Sequence, residues 1–282
     1  MGKHMRNMMR MGMQSGLSAA GMFLLIASAT AQAAAVDAAA RAKMTVSEVR
    51  ACMAKNLAYR GALRDLKVEV TDREGKTRAL KMKLFWKPTK AGAARMNLRV
   101  LEPADLKGSS YLMLDSDQGE EVYFYLPASK QVQKISGQMM AQPLWGTDFS
   151  YGEIKQVHGV LETGNAARKA DAKVGGRSVF VLEAMTQPEK TGYSKILSYV
   201  DQDTCVLLKS EFFGKNGKAA KIMEGDLATL FTLDEYSVML NYTMRDLRKK
   251  TKTLLTMSDL NLLEGSREAL FSPAAFYKED SE

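Results

Sequence analysis

The segment RALKMKLFW, residues 78–86, decides the fold class because its apolar and polar residues alternate. Every second residue from Leu80 to Trp86 is apolar, and lysines stand at positions 81 and 83. A period of two predicts a β-strand with one apolar face and one solvated face. The segment LKVEV, residues 66–70, has the same period, and the turn residues Glu74-Gly75 separate the two segments. This arrangement predicts a β-hairpin.

Alternation of this kind continues along the chain, from RMNLRVLEP at residues 95–103 to KTLLTMSDLNL at residues 252–262. In total, about eleven segments have the pattern of strands. One helix is predicted before them, over residues 44–58, because apolar residues recur there at helical spacing and Thr45 or Ser47 can cap the first turn. Many short strands with few helices are typical of an antiparallel sheet that curls. The sequence therefore predicts a mainly β (α+β) fold.

An amphipathic sheet of this size has an apolar face that other parts of the chain must cover. Three segments are candidates for this cover. They are the predicted helix, residues 143–154, and the C-terminal SPAAFYKE at residues 272–279. We expect them to lie over the concave side of the curled sheet.

Residues 1–33 have the pattern of a secretory signal peptide. Lys3, Arg6 and Arg10 are basic, residues 16–30 are apolar, and AQA at residues 31–33 offers the small residues of a cleavage site. We expect cleavage after Ala33 and an exported mature protein.

The mature chain, residues 34–282, is expected to be a single domain. The formal net charge of the whole chain is +8, and removing the three leader charges leaves +5. The basic residues are dispersed apart from RDLRKKTK, residues 245–252, which fits a solvated strand pair with its turn. This pattern argues against nucleic-acid binding and suits contact with anionic lipid or an acidic partner better.

Catalytic motifs are missing from the sequence. After the leader the chain contains one histidine, His158, and it has no H-E-x-x-H, G-x-S-x-G, P-loop or G-x-G-x-x-G motif. Asp115 and Asp117 lack the spacing of an EF-hand loop and fit a solvated turn between strands. The sequence therefore predicts a protein that is not an enzyme and that has no catalytic residues, no metal site and no cofactor.

The two cysteines, Cys52 and Cys205, leave two arrangements open. An exported protein passes into an oxidising compartment, where an even number of cysteines favours a disulfide. That bond would tie the predicted helix to the second half of the chain. Two separate buried thiols are the alternative, since sequence alone does not show that the two residues meet.

Three segments carry a resemblance to a known family. They are LEPADLKGSSYLML at residues 101–114, YFYLPASKQVQKIS at residues 123–136, and LWGTDFSYGEI at residues 144–154. In these segments the chain resembles the bacterial outer-membrane lipoprotein-sorting proteins, the LolA/LolB-like superfamily, in its longer branch. The later segment YSKILSYVDQDTCVLLKSEFFGKNGK, residues 193–218, is also similar to this family.

The resemblance implies an unclosed antiparallel β-barrel with a few helices as a lid over an apolar cavity. It implies a monomeric periplasmic carrier of lipid or lipoprotein acyl chains, without chemistry, and an RND-type inner-membrane transporter as a partner. In the motifs, Gly108 and Gly146 are expected at tight turns, and Asp148 or Ser150 is expected to cap a short helix.

The apolar face and the aromatic cluster together give the candidate ligand site. The residues expected to line the cavity are Met82, Leu84, Trp86, Met96, Leu98, Phe124, Leu126, Trp145 and Phe149. The alternative is that the aromatic residues fill the sheet as ordinary core. Two functions remain open: an acyl-chain carrier, and a structural or assembly partner of a membrane lipid transporter that carries no ligand itself.

Overall fold

The computed structural model describes residues 40–41, 43–57, 62–89, 94–116, 119–158, 161, 165–233, 236–262 and 267–278. The chain divides into two compact units, residues 1–43 and 44–282, and the fold below belongs to the second. The predicted signal peptide lies outside the described residues. Within them, no helix combines the length and the apolar character that a membrane span requires.

The elements of the second unit are mostly strands. The α-helices are α1 (Val46–Leu57) and α2 (Pro188–Thr191). Short 3-10 helices cover Gly137–Ala141, Leu144–Gly146, Ile154–His158, Leu227–Thr229 and Glu268–Phe271. The strands are β1 (Ala62–Thr71), β2 (Thr77–Pro88), β3 (Ala94–Glu102), β4 (Ser110–Ser116), β5 (Gly119–Leu126), β6 (Gln131–Ile135), β7 (Ala166–Arg168), β8 (Ala172–Val174), β9 (Arg177–Met185), β10 (Lys195–Asp201), β11 (Leu207–Phe213), β12 (Ala219–Gly225), β13 (Leu230–Leu233), β14 (Tyr236–Met239), β15 (Asn241–Asp246) and β16 (Thr251–Leu262).

The described chain has more strands than the eleven or so expected. The additional ones, such as β7, β8, β13 and β14, are three or four residues long. A segment of that length is too short to show a period of two, so alternation does not reveal it.

Fourteen of the described strands form one antiparallel sheet in the order β6-β5-β4-β3-β2-β1-β16-β15-β12-β11-β10-β9-β7, with β8 also on β9. Two meanders, β1–β6 and β9–β12, are joined in the middle by β15 and β16. The edge strands β6 and β7 do not pair with each other, so the sheet is unclosed. β13 and β14 form a separate two-stranded sheet. The predicted unclosed antiparallel architecture is confirmed.

The hairpin that opens the sheet has the predicted turn. Thr71 of β1 pairs with Thr77 of β2, and Gly75 has a positive φ of 86°. Asp72 Oδ1 accepts hydrogen bonds from the backbone N–H groups of Glu74 and Lys76, both at 2.9 Å. The carboxylate therefore fixes a turn whose left-handed residue is glycine, the residue that adopts this conformation without steric cost.

Helix α1 begins with a capping box. The backbone N–H of Thr45 donates to Glu48 Oε2 at 2.7 Å, and the N–H of Glu48 donates to Thr45 Oγ1 at 3.3 Å. Thr45, rather than Ser47, is thus the N-terminal cap. The helix buries Val49 and Met53 in the main hydrophobic core, so it covers part of the concave face as predicted.

A disulfide between Cys52 and Cys205 joins α1 to the turn between β10 and β11, with 5.8 Å between the two Cα atoms. The turn is held by Asp201, whose carboxylate accepts hydrogen bonds from Arg177 Nε at 2.7 Å and Nη2 at 2.8 Å. The backbone N–H of Thr204 donates to the same carboxylate at 2.9 Å. Burial alone would raise the pKa of Asp201, but these hydrogen bonds outweigh burial and lower the pKa below its ordinary value.

The C-terminal segment packs on the convex side of the sheet, contrary to the prediction that it covers the concave side. Phe276 and Leu270 form a second hydrophobic core with Phe85 of β2 and Leu112 of β4. Phe85 and Leu112 occupy positions that alternation assigns to the solvated side. Because both are apolar, they give the C-terminal segment a surface to bury on the convex side.

Buried polar groups hold the C-terminal segment in place. Asn97 Nδ2 donates to the carbonyl oxygens of Leu270 at 2.8 Å and of Phe276 at 2.9 Å. Arg99 Nη2 donates to the carbonyl oxygens of Phe276 at 2.8 Å and of Lys278 at 2.9 Å. These bonds satisfy backbone acceptors that would otherwise be buried unpaired.

Candidate functional site

The residues predicted to line a cavity share the concave side of the sheet. All nine contact one hydrophobic core, and eight of them are no more than 7% exposed, whereas Leu126 is partly buried. They are Met82, Leu84, Trp86, Met96, Leu98, Phe124, Leu126, Trp145 and Phe149. Three cavities of about 170, 340 and 400 Å³ are lined by other residues. The concave face is therefore apolar and continuous, and its side chains are packed against their cover.

Residues 137–158, called the covering segment below, provide most of this cover. The segment contains three of the 3-10 helices and buries Leu144, Trp145, Phe149, Ile154 and Val157 in the main core. It includes residues 143–154, so the prediction that these residues cover the concave face is confirmed.

Aromatic rings connect the covering segment to the sheet. The ring of Phe124 lies 5.8 Å from that of Trp145 and 5.0 Å, edge to face, from that of Tyr151. Tyr111 of β4 stacks on Tyr151 at 6.3 Å, and its hydroxyl donates to the backbone oxygen of Tyr151 at 2.9 Å. Such ring pairs add to the free energy of burial because their geometry is specific.

Asp148 attaches the covering segment to β16. Its carboxylate accepts hydrogen bonds from the hydroxyls of Thr251 and Thr253, the second at 2.8 Å. The backbone N–H of Asp148 in turn donates to Thr253 Oγ1 at 2.9 Å. The interpretation of Asp148 as a helix cap is wrong, because its carboxylate bonds to a neighbouring strand.

Ser150 also differs from the predicted cap. Its backbone N–H donates to Glu153 Oε2 at 2.8 Å, so the carboxylate of Glu153 closes the turn that precedes the 3-10 helix Ile154–His158. The glycine predictions are confirmed: Gly108 and Gly146 lie in turns with φ of 82° and 68°.

Glu153 is the centre of a buried polar cluster between the covering segment and the second meander. Lys221 of β12 donates through Nζ to Glu153 Oε2 at 3.0 Å and to the backbone oxygen of Asp148 at 2.7 Å. The hydroxyl of Tyr193 donates to Glu153 Oε1. Burial and then the nearby charge of Glu153 raise the pKa of Tyr193, so this hydroxyl keeps its proton and remains a donor.

Two further contacts attach the covering segment to the first meander. Arg78 Nη2 of β2 donates to the backbone oxygen of Trp145 at 2.6 Å. Lys155 Nζ donates to Glu120 Oε2 of β5 at 2.6 Å. The covering segment is thus attached to both meanders and spans the face between them.

Trp145 is held at an energetic cost. Its backbone is left-handed, with φ 47° and ψ 35°, which L-residues other than glycine adopt at a cost of about 1–2 kcal/mol. Its indole Nε1 is buried and has no hydrogen-bond partner among the described residues. A buried donor without a partner costs about 1–3 kcal/mol.

Sequence reasoning missed the residues that hold the covering segment: Arg78, Tyr193, Lys221, Thr251 and Thr253. The sequence contains one signal for Thr253. Thr253, Leu255 and Met257 are buried on one face of β16, so Thr253 is a polar residue at an apolar position and needs a buried hydrogen-bond partner.

The structure does not assemble a catalytic or metal centre from the described residues. His158 ends a 3-10 helix, and its side chain lies outside the described part. No group of three His, Cys, Asp or Glu side chains among the described residues is placed to hold a metal ion. The predicted absence of catalysis stays a prediction.

Comparison with known proteins gives the family. A family model described as "Uncharacterized protein" matches residues 92–278, more than half of the chain. A putative outer membrane lipoprotein-sorting protein domain from Vibrio parahaemolyticus has a similar structure, with a TM-score of 0.70 at 22% identity over 81% of this chain and 97% of that one. The chain belongs to the family that this model describes, and it shares the fold of that lipoprotein-sorting protein domain.

Two other solved structures resemble this protein. A DUF1329 family protein from Desulfovibrio piger has a TM-score of 0.69 at 20% identity, over 82% of this chain and 98% of that one. A LolA superfamily protein from Nitrosomonas europaea has a TM-score of 0.62 at 16% identity, over 81% and 98%. No curated protein sequence matches the chain. At these identities the structural likeness establishes the fold.

Proposed function

We propose that this LolA-like protein is a non-catalytic periplasmic carrier, which holds the acyl chain of a lipid or lipoprotein against its concave face on the way to the outer membrane. The covering segment moves aside to admit the chain and closes again when the chain leaves. The protein acts as a monomer and delivers or receives its cargo at an RND-type inner-membrane transporter. No cofactor takes part.

The observation that carries the proposal is that a continuous apolar face is covered by a segment with a strained residue. The face is continuous and apolar, from β5 on one side of the sheet to β10 on the other. The covering segment includes Trp145, whose left-handed backbone and unpaired indole N–H both cost free energy. Strained residues of this kind cluster in segments that move or bind. A segment selected only to fill a core would avoid both costs.

The free energies of burial allow an acyl chain to replace the covering segment on the concave face. Burying each CH₂ group of an acyl chain contributes about 0.8 kcal/mol, so ten groups contribute roughly 8 kcal/mol before the costs of binding. The covering segment withdraws five apolar side chains from the same surface when it moves. The acyl chain and the five side chains bury the same apolar face, so the free energy gained with the chain offsets the free energy lost with the side chains. Release of the strain at Trp145 then favours the exchange.

A specific observation favours the second function, a structural or assembly partner of a transporter that carries no ligand. Eight of the nine predicted lining residues are already nearly inaccessible to solvent. If the covering segment never moves, the concave face is an ordinary core and the outer surface of the protein carries its function.

Lipid extraction from the protein as its own bacterium produces it separates the two functions. The carrier proposal predicts acyl-containing molecules that co-purify at a defined ratio and that mass spectrometry identifies. The matched control is Phe124→Glu, which places a charge in the apolar face and should abolish co-purification. If the folded wild-type protein carries no acyl group, or no more than the folded Phe124→Glu variant, the carrier proposal is wrong.

A further inference from the structure

A cavity of about 400 Å³ lies beside the covering segment, where that segment meets two hairpin turns of the sheet. Its walls come from the β1–β2 turn, from residues 143–148 of the covering segment, and from the β15–β16 turn. The volume falls within the range of about 300–1,000 Å³ that is typical of ligand pockets. None of the residues predicted to line the acyl site contributes to it.

Three cations line this cavity: Lys76, Arg78 and Lys249, called the basic rim below. Within the described part of the chain, none of the three forms an ion pair with a carboxylate. The guanidinium of Arg78 donates to the backbone oxygen of Trp145, which places it at the covering segment itself. A Cβ atom added to Gly146 would lie 2.8 Å from Arg78 Nη2, so glycine allows the backbone to pass this close to the charge.

The two carboxylates in the cavity wall are already engaged. Asp72 Oδ1 accepts two backbone N–H groups in the β1–β2 turn. Asp148 accepts the hydroxyls of Thr251 and Thr253. Three cations against two carboxylates leave the cavity lining with a net charge of +1, and both carboxylates already accept hydrogen bonds from neutral groups.

The pairing of the strands brings further lysines to the end of the sheet where the cavity lies. Thr71 pairs with Lys252, so the β1–β2 and β15–β16 turns are neighbours at one end of the sheet. Lys221 pairs with Asp246, which brings the β11–β12 turn, with Lys215 and Lys218, to the same end. A second cavity of about 340 Å³ shares Asp72 and Thr251 with the first and is lined by Lys250 and Lys252 as well.

The cavity lies where residues 143–148 of the covering segment meet these turns, so an anion bound there contacts the edge of the cover over the apolar face.

We propose that the basic rim binds the phosphate of an anionic lipid headgroup while the acyl chain of the same lipid lies under the covering segment. The inference rests on the proposed function and names its ligand class, a phosphate-bearing lipid. Arginine recognises phosphate with two parallel N–H groups and lysine with a point charge. Arg78 uses one N–H group for the backbone oxygen of Trp145, so its remaining N–H groups can bind the phosphate at the edge of the covering segment.

The test compares two short-chain lipids that differ only in the phosphate: dihexanoyl phosphatidic acid and dihexanoylglycerol, both below their micelle concentrations. Calorimetry measures the Kd of each for the wild-type protein and for Lys76→Gln/Lys249→Gln. Lys173→Gln is the matched control, since Lys173 is an exposed lysine of β8 near the opposite end of the sheet. Glycerol 3-phosphate is titrated as the free headgroup.

We expect the wild-type protein to bind the phosphate lipid about tenfold more tightly than the neutral lipid, a difference of roughly 1.4 kcal/mol. In Lys76→Gln/Lys249→Gln the ratio of the two Kd values should fall to near one, while the affinity for the neutral lipid stays unchanged. Lys173→Gln should keep the preference. High salt should reduce it, since the rim is exposed. Glycerol 3-phosphate alone should bind weakly and should lose its binding in the double variant.

The outcomes separate the inference from the function on which it rests. If the two lipids bind equally to the wild-type protein, or if the double variant keeps the preference, the headgroup inference is wrong and the carrier function stands. If neither lipid binds, both are wrong. If glycerol 3-phosphate binds as tightly as the phosphate lipid, the site is a soluble-phosphate site and the headgroup inference fails.

Discussion

Lys221 Nζ lies 3.0 Å from Glu153 Oε2, and the two side chains are only 7% and 4% exposed. The pair joins a strand of the second meander to the covering segment. An ion pair this deeply buried is costly to break, because removing one partner leaves the other charged and without water. The attachment of the covering segment therefore depends on a few polar groups that lie among apolar ones.

Replacing Lys221 alone should loosen the covering segment. We expect Lys221→Met to lower the free energy of unfolding by about 3–5 kcal/mol, because Glu153 is left as an unpaired buried charge. The double variant Lys221→Met/Glu153→Gln should lose clearly less, since no buried charge remains. Urea denaturation gives both values, and hydrogen exchange should show faster exchange in residues 144–157 of the single variant. Equal losses in the two variants would show that the charge pair is not what holds the segment.

Gly146 should not tolerate a side chain. Its φ of 68° is left-handed, and an added Cβ atom would lie 2.8 Å from Arg78 Nη2. We expect Gly146→Ala to cost about 1–2 kcal/mol of folding stability through the backbone alone. It should also displace Arg78 from its bond to Trp145. Gly217→Ala is the control, because Gly217 has a φ of 72° but nothing within 4 Å of an added Cβ atom. If Gly146→Ala lowers the free energy of unfolding no more than Gly217→Ala does, the close approach to Arg78 makes no contribution to the cost.

The disulfide should contribute to stability through the loop that it closes. Cys52 and Cys205 are 153 residues apart in sequence. Removing a native disulfide costs roughly 2–5 kcal/mol, and the cost is larger for longer loops in the chain-entropy account. We expect Cys52→Ala/Cys205→Ala to unfold at lower urea concentration than the oxidised protein by this amount. A reducing agent should lower the stability of the wild-type protein similarly and leave the variant unchanged. Unchanged stability in both would contradict the prediction.

Stability should fall in acid partly through Asp201. Hydrogen bonds from Arg177 and Thr204 outweigh burial and lower its pKa in the folded state. A lowered folded-state pKa gives stability that is present above the unfolded value of about 3.9 and is lost as the pH falls through the folded-state pKa. In Arg177→Gln, burial dominates and should raise this pKa. The variant should therefore be less stable than the wild-type protein at pH 7, and Asp201 should no longer contribute to a loss of its stability as the pH falls from 7 to 3. Parallel stability profiles between pH 7 and pH 3 would exclude this role of Arg177.

The strands were predictable because alternation is periodic over many residues. Leu80, Met82 and Leu84 are all buried on the predicted side. The prediction failed where the period gives no information. Phe85 and Leu112 are apolar on the outer side, and only the C-terminal segment, far away in sequence, explains them. Alternation identifies the faces of a sheet, but it does not show which segment covers each face.

The polar contacts of the covering segment were not predictable. Glu153 and Lys221 are 68 residues apart, and Asp148 and Thr253 are 105 residues apart. Each residue taken alone is compatible with an exposed position. Only the register of β12 and β16 in the folded sheet brings the partners under the covering segment. The aromatic residues of that segment were found because they are clustered in sequence.

The most direct test of the carrier account is the affinity for an uncharged fluorescent diacylglycerol in three proteins: wild type, Tyr193→Phe and Phe124→Glu. Tyr193→Phe removes one hydroxyl that donates to Glu153 and leaves every residue of the covering segment unchanged. If the covering segment must move before the acyl chain binds, a looser segment reduces that cost and tightens binding, by tenfold for about each 1.4 kcal/mol. We therefore expect Tyr193→Phe to bind more tightly than the wild type, and Phe124→Glu to lose binding while remaining folded. No binding by either the wild type or Tyr193→Phe, or the same affinity in all three proteins, would contradict the account.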